Sequence, residues 1–110
     1  MAFKVNEHNF QNEVLNSKTP VLVDFGAEWC QPCKRLNPIL KDLDTQWDGQ
    51  VQIAEVDVDE NGNLAMQMQV MSLPTMILFV DGKETSRIVG LQTPEKINEK
   101  ICSLVGMSLS

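Results

Sequence analysis

The sequence predicts an α/β fold: a central mixed sheet of four to five strands flanked by helices on both faces. Three observations carry this. Runs of apolar, β-prone residues at 21–26, 51–58, 75–80 and 84–89 are interleaved with stretches of helical periodicity. The first two of these runs are separated by an amphipathic stretch, so they are joined through a helix and run parallel. The last two meet at Asp81-Gly82, a two-residue hairpin signal, and so run antiparallel. The length of 110 residues suits one domain, 1–110. A chain this long buries about two-thirds of its unfolded surface and has no need of a disulfide to build its core.

Phe3, Lys4 and Val5 make a short strand. Asn6 caps a helix through about Asn16, with Phe10, Val14 and Leu15 inward. His8, near its start, reads as a solvated surface residue. Lys18-Thr19-Pro20 turns the chain into a strand from Val21 to Gly26. Alternation puts Val21, Val23 and Phe25 on one face and Leu22, Asp24 and Gly26 on the other. Leu36, Ile39, Leu40, Leu43 and Trp47 then mark the buried face of a helix running to about Asp48. Pro38 lies inside it and removes one backbone hydrogen bond at about 3 kcal/mol, which predicts a kink.

After Asp48-Gly49-Gln50, residues 51–58 alternate as a strand. Residues 57–62 match the opening D-x-D-x-N-G of a calcium loop, but the twelfth position is Met68 rather than Glu, and no helix enters. A strand end, a turn and a short helix from about Gly62 to Met68 is the preferred reading. Met66, Met68, Met71 and Met76 read as adaptable packing. Residues 75–80 and 84–89 form the hairpin. Thr93 caps the last helix, with Pro94 in its first turn and Ile97, Ile101 and Leu104 buried. Cys102, beside that face, reads as a small inert filler, with an intermolecular disulfide the less favoured alternative.

The chemistry centres on Trp29-Cys30-Gln31-Pro32-Cys33-Lys34, where a strand hands over to a helix N-terminus. Residues three apart on a helix have Cβ atoms roughly 5–6 Å apart. A disulfide needs about 3.5–4.5 Å. A tightened first turn closes that gap, so Cys30 and Cys33 can pair and separate with little movement. The first sulfur faces unpaired N–H groups and the positive end of the helix dipole, which favours the reactive thiolate. Cys30 is therefore expected to attack, facing solvent, with Cys33 deeper and shielded. Asp24 breaks an otherwise apolar strand. It is either a strand-end carboxylate reaching solvent or a backbone N–H, or a buried acid behind the cysteines, with a raised pKa and a proton to exchange with Cys33 through a water. The second reading is preferred.

The net charge of −6 offers no basic patch for nucleic acid or an anionic membrane. No apolar run spans a bilayer, and residues 1–15 lack the apolar core of an export signal. Three cysteines do not make a secreted disulfide framework. A reducing compartment follows, with a cytoplasmic location expected, or an organelle matrix if a targeting segment has been removed.

Val23-Asp24-Phe25, Trp29-Cys30-x-Pro32-Cys33-Lys34, Pro38, Leu73-Pro74-Thr75 and Val89-Gly90 together resemble the thioredoxin family, in the family's order and over nearly the whole chain. The resemblance implies a thioredoxin fold and a protein-disulfide reductase working by dithiol–disulfide exchange through Cys30 and Cys33, with Asp24 assisting. It implies regeneration by a thioredoxin reductase, an electron-carrier role in redox homeostasis, no cofactor or metal of its own, and a monomer. It further implies a cis bond at Leu73-Pro74 and a client groove formed by Trp29, Gln31, Pro32, Leu73, Pro74, Thr75, Gly90 and Leu91. Two residues near the site depart from the common pattern. Gln31 replaces a frequent Gly, and Gly26 a frequent bulky aromatic, which loosens packing under the active-site loop. Glu55 stands where many bacterial members carry Lys, so an Asp–Lys pair is not expected.

Other functions fit less well. One C-x-x-C supplies two thiolates where a structural zinc takes four ligands, and Cys102 and His8 have no ligand spacing to it, which leaves only a cluster bridging two chains as a metal-binding alternative. A pure binding subunit has no need of the cysteine pair with Asp24. An oxidant or isomerase is the nearest rival within redox chemistry, and an export signal would favour it.

Overall fold

The computed structural model describes residues 3–107; residues 1–2 and 108–110 of the expected domain lie outside this description. The elements in order are β1 (Phe3–Lys4), a π-helical turn (Gln11–Leu15), β2 (Val21–Gly26), α1 (Gln31–Trp47), β3 (Gln52–Asp57), α2 (Gly62–Gln67), β4 (Thr75–Val80), β5 (Lys83–Val89) and α3 (Pro94–Val105). The strands form one sheet in the order β1-β3-β2-β4-β5. The first three are mutually parallel, β4 runs antiparallel to β2, and β5 runs antiparallel to β4, so the sheet is mixed as expected.

The sheet has two packed faces. On one, Leu22, Ile53, Met76, Leu78 and Ile88 meet Leu36, Leu40, Leu43 and Trp47 of α1 and Ile97 and Ile101 of α3. On the other, Val21, Val23, Phe25, Ala54, Val56, Ile77 and Phe79 meet Phe10, Val14 and Leu64. Strict alternation along β2 divides these sets as predicted. Fully burying one such side chain contributes about 1.5–3 kcal/mol. The central strand, buried from Val21 to Phe25, is thus a rigid platform for whatever stands at its end. The Trp47 indole N–H donates to Asn98 Oδ1 at 2.7 Å and ties α1 to α3.

Three expectations need correction. The N-terminal helix is shorter than residues 6–16. Asn6 Oδ1 accepts from the N–H groups of His8 (2.8 Å) and Asn9 (3.0 Å), but this closes a turn at residues 7–9; the helical part, Gln11–Leu15, widens and has Phe10 as its N-cap, with no side-chain cap. The wide turn still buries Phe10 and Val14, with Phe10 edge-on to Phe79 at 5.6 Å. On α3, Leu104 is exposed and Cys102 takes its place in the core. The buried stripe is 97, 101, 102, a phase that brings Cys102 under Trp47 and Asn98. Met76 and Met68 do pack inward, but Met66 and Met71 are exposed. Pro38 lies inside α1, which continues through it to Trp47 and ends with Asp48 in the left-handed conformation.

Candidate active site

Cys30 and Cys33 form a disulfide, their Cα atoms 5.2 Å apart. Cys30 is the N-cap of α1, with extended backbone, and its Sγ accepts from the Cys33 N–H at 3.2 Å. A sulfur thus does the work of the usual cap oxygen. Pro32 lies in the first turn, where an N–H would have no helical partner. The Cys33 amide and the positive end of the α1 dipole are thus both directed at the Cys30 sulfur. Exposure does not separate the two cysteines as the sequence suggested: Cys30 is 4% and Cys33 5% exposed. They differ instead in surroundings. Cys30 caps the helix, whereas Cys33 Sγ faces β2, where a Cβ built on Gly26 would lie 3.2 Å from it.

Asp24 is on the α1 side of the central strand and is 5% exposed, which removes the reading of a solvent-reaching carboxylate. Its Oδ1 has no hydrogen-bond partner among the described residues. Burial pushes its pKa up to about 7, with the Glu55 charge adding in the same direction. Glu55 is its register partner across β2 and β3. Asp24, Glu55, Gly26 and Cys33 line one cavity of about 710 Å³. A water needs only about 10–15 Å³ of such space and polar partners. Proton exchange between Asp24 and Cys33 through water is therefore sterically open.

Two further loops meet near the C-terminal end of β2, where Thr75 is the register partner of Phe25. Leu73-Pro74 is cis, and the Gly90 N–H donates to the Pro74 carbonyl at 2.8 Å, joining the two segments. Gly90 has φ +87°, a conformation that favours glycine. Thr75 Oγ1 donates to the Ser72 carbonyl at 2.7 Å. Arg87 fixes the approach to this loop by donating to the carbonyls of Met68 (2.7 Å) and Gln69 (3.1 Å), itself braced by Glu84. Pro74 and Thr75 are buried, Leu73 is half-buried, and Gln31, Pro32 and Leu91 are exposed. Trp29 is 66% exposed and its indole N–H donates to Asp59 Oδ2 at 2.9 Å.

Two features escaped the sequence. In the sequence Asp59 stands out only within the partial calcium-loop match, and nothing local signals its bond to Trp29 thirty positions away. Val89 and Met71 expose apolar surface next in sequence to Gly90 and Ser72, where strand alternation and composition suggested packing. Among the described residues no group of three or more His, Cys, Asp or Glu could hold a metal ion, and no helix is long and apolar enough to cross a membrane.

The sequence model of the Thioredoxin family matches residues 1–103. The chain is 42% identical to a thioredoxin of Rickettsia felis over 92 residues, 84% of this chain and 88% of that protein. It is 40% identical to a thioredoxin of Chlorobaculum thiosulfatiphilum over 104 residues, 94% of this chain and 96% of that one. It is also 44% identical over 90 residues, 82% of its length, to 20% of a bifunctional thioredoxin reductase/thioredoxin of Mycobacterium leprae.

Proposed function

The chain belongs to the thioredoxin family and is a thiol–disulfide oxidoreductase, and from that premise we propose that it reduces disulfides of client proteins with Cys30 as nucleophile, Cys33 as resolving thiol and Asp24 as proton acceptor. The Cys30 thiolate attacks one client sulfur, and the other leaves as thiolate. Cys33 gives its proton to Asp24 through water and attacks Cys30 Sγ. The mixed disulfide breaks, the second client thiolate departs, and the Cys30–Cys33 disulfide remains. The client gains two electrons and the cysteine pair loses them.

The observation that carries this reading is the disulfide at the N-cap of α1, whose Cys33 shares a cavity with the buried Asp24, a carboxyl group whose Oδ1 has no hydrogen-bond partner among the described residues. Thioredoxins are themselves the reference case of a C-x-x-C thiol with a lowered pKa. The exposed Trp29, Pro32 and Leu91 beside the segment Leu73–Thr75 and Gly90 supply an apolar, sequence-tolerant rim for client chains, with Gln31 at its edge. A thioredoxin reductase supplies the electrons, ultimately from NADPH. The natural fusion of these two activities in the Mycobacterium leprae relative supports that pairing. The chain acts as a single-domain monomer in the cytoplasm, or in an organelle matrix, without a cofactor, metal or nucleic acid of its own.

The test is insulin reduction coupled to NADPH and a thioredoxin reductase. A rate well above that with dithiothreitol alone is expected. No acceleration by folded protein with two free site thiols would overturn the reductase reading.

A further inference from the structure

Three ionisable side chains stand in a row across neighbouring strands. In the parallel registers Lys4 of β1 is opposite Glu55 of β3, and Glu55 is opposite Asp24 of β2. Adjacent strands are about 4.8 Å apart, and register partners project to the same face. That face is the one covered by α1, because Leu22 and Ile53, two residues earlier on β2 and β3, pack against it. Exposure falls along the row: Lys4 is exposed, Glu55 half-buried and Asp24 buried. All three line the cavity that reaches Cys33.

We infer that Glu55 is a positioning residue for the exchange reaction: it sets the pH at which Asp24 can take the proton of Cys33, and it passes that proton between Asp24 and solvent. This rests on the assignment of Asp24 as the proton acceptor. A carboxyl group as enclosed as Asp24 must lose each proton it accepts, and among the described residues its Oδ1 has no partner to take it. Glu55 is the next carboxylate outward on the same face.

The charges facing the cavity fix the sign of its effect. They are Lys4 from β1, Glu55 and Asp57 from β3, Glu28 after β2, Glu60 before α2, and Lys34 beside Cys33 on α1. Carboxylates outnumber ammonium groups, and Glu55 is the one in register with Asp24. Its negative charge opposes ionisation of Asp24. The proton leaves Cys33 for the Asp24 carboxylate, moves to Glu55 and then to water. The Cys33 thiolate forms its bond to Cys30 Sγ as the Cys30–client bond breaks, with the electron pair leaving on the client sulfur.

The test follows release of a thiol-labelled peptide from its mixed disulfide with Cys30 across pH, in wild type, Glu55→Gln, Glu55→Asp and Asp24→Asn. The carboxyl titration of Asp24 is followed by carbon NMR in the first three. Glu55→Gln should lower the Asp24 midpoint and the midpoint of the release step together, by about half a pH unit or more. Glu55→Asp should restore both, and the initial attack by Cys30 should keep its rate. Midpoints in Glu55→Gln that stay in place or rise, beside an Asp24→Asn variant that releases slowly, overturn the role of Glu55 alone. An Asp24→Asn variant that releases peptide like wild type at every pH overturns the Asp24 assignment, and this inference with it.

Discussion

Gly26 lies against Cys33: a Cβ added to it would sit 3.2 Å from the Cys33 sulfur. Gly26 has no side chain, and the sulfur occupies the adjacent space. A Gly26→Ala change presses on that sulfur. In the disulfide the sulfur is held from both sides, whereas in the dithiol it can turn aside. Gly→Ala in a strand otherwise contributes about 0.4–1 kcal/mol through the unfolded chain, in both redox forms alike. The variant should therefore favour the dithiol several-fold in glutathione buffers while the reduced protein melts no lower than wild type. An unchanged redox equilibrium would show that the contact is relieved without cost.

Asp24→Asn should stabilise the protein at neutral and alkaline pH. The folded-state pKa of about 7 lies above the ordinary carboxyl value of 3.8. Between these values the folded state holds a proton that the unfolded state has released, so stability falls as pH rises through that window. Below it Asp24 is neutral in both states, and above it the full penalty applies. The gap corresponds to at most about 4 kcal/mol, and a buried amide that lacks partners reduces the gain. Urea denaturation of reduced protein at pH 4 and pH 8 checks this: the variant should gain at pH 8 and little at pH 4. Equal gains at both would mean that charge burial is not the cause.

Trp29 is fixed by an acceptor from another part of the chain, Asp59 Oδ2 at 2.9 Å, and the Asp59 N–H is in turn held by Asp57 Oδ1 at 2.9 Å. An exposed bond of this kind contributes about 0.5–1.5 kcal/mol. Asp59→Ala should free the indole and raise KM for insulin two- to tenfold with little change in kcat, about the range that energy allows. Asp59→Asn keeps an acceptor and should recover most of the loss. Trp29 fluorescence anisotropy should fall in the alanine variant only, with buried Trp47 as an internal reference.

What could be read from sequence and what could not divide along physical lines. β2 and β4 were legible because they are continuous apolar runs bounded by turn residues, and the handover from Gly26 to Cys30 placed the disulfide at a helix start. The N-terminal helix was over-extended because an apolar pair at Phe10 and Val14 fits a normal or a widened turn equally well. The α3 stripe was misplaced because Cys102 and Leu104 both lie near the buried sector, and only the packing of Trp47 and Asn98 decides between them. The bond between Trp29 and Asp59, the clamp by Arg87 on residues 68 and 69, and the exposure of Met66 and Met71 depend on distant segments meeting. The equal burial of Cys30 and Cys33 also arises from tertiary packing, which local helix geometry does not contain.

That equal burial sharpens the last prediction, which assigns the two cysteines. With exposures of 4% and 5%, accessibility alone gives no preference. The preference must come from thiolate character: the Cys30 sulfur receives the Cys33 N–H and the helix dipole, while Cys33 sits against Gly26 and shares a cavity with a carboxyl group that opposes a second negative charge. Cys33→Ser should still attack a client disulfide but fail to release it, and a mixed disulfide through Cys30 should accumulate until reductant is added. Cys30→Ser should trap little, although Cys33 remains. Cys102, buried, with its thiol held by Asn98 Oδ1 at 3.2 Å and its pKa pushed up by burial, should trap none. Cys102→Ser should leave turnover within about twofold and cost about 1–3 kcal/mol of stability if the hydroxyl finds no better partner. Mass spectrometry of the trapped adducts checks the order. Client attached mainly through Cys33 in Cys30-intact protein would reverse the two roles, because the helix terminus would then not be what activates the attacking sulfur.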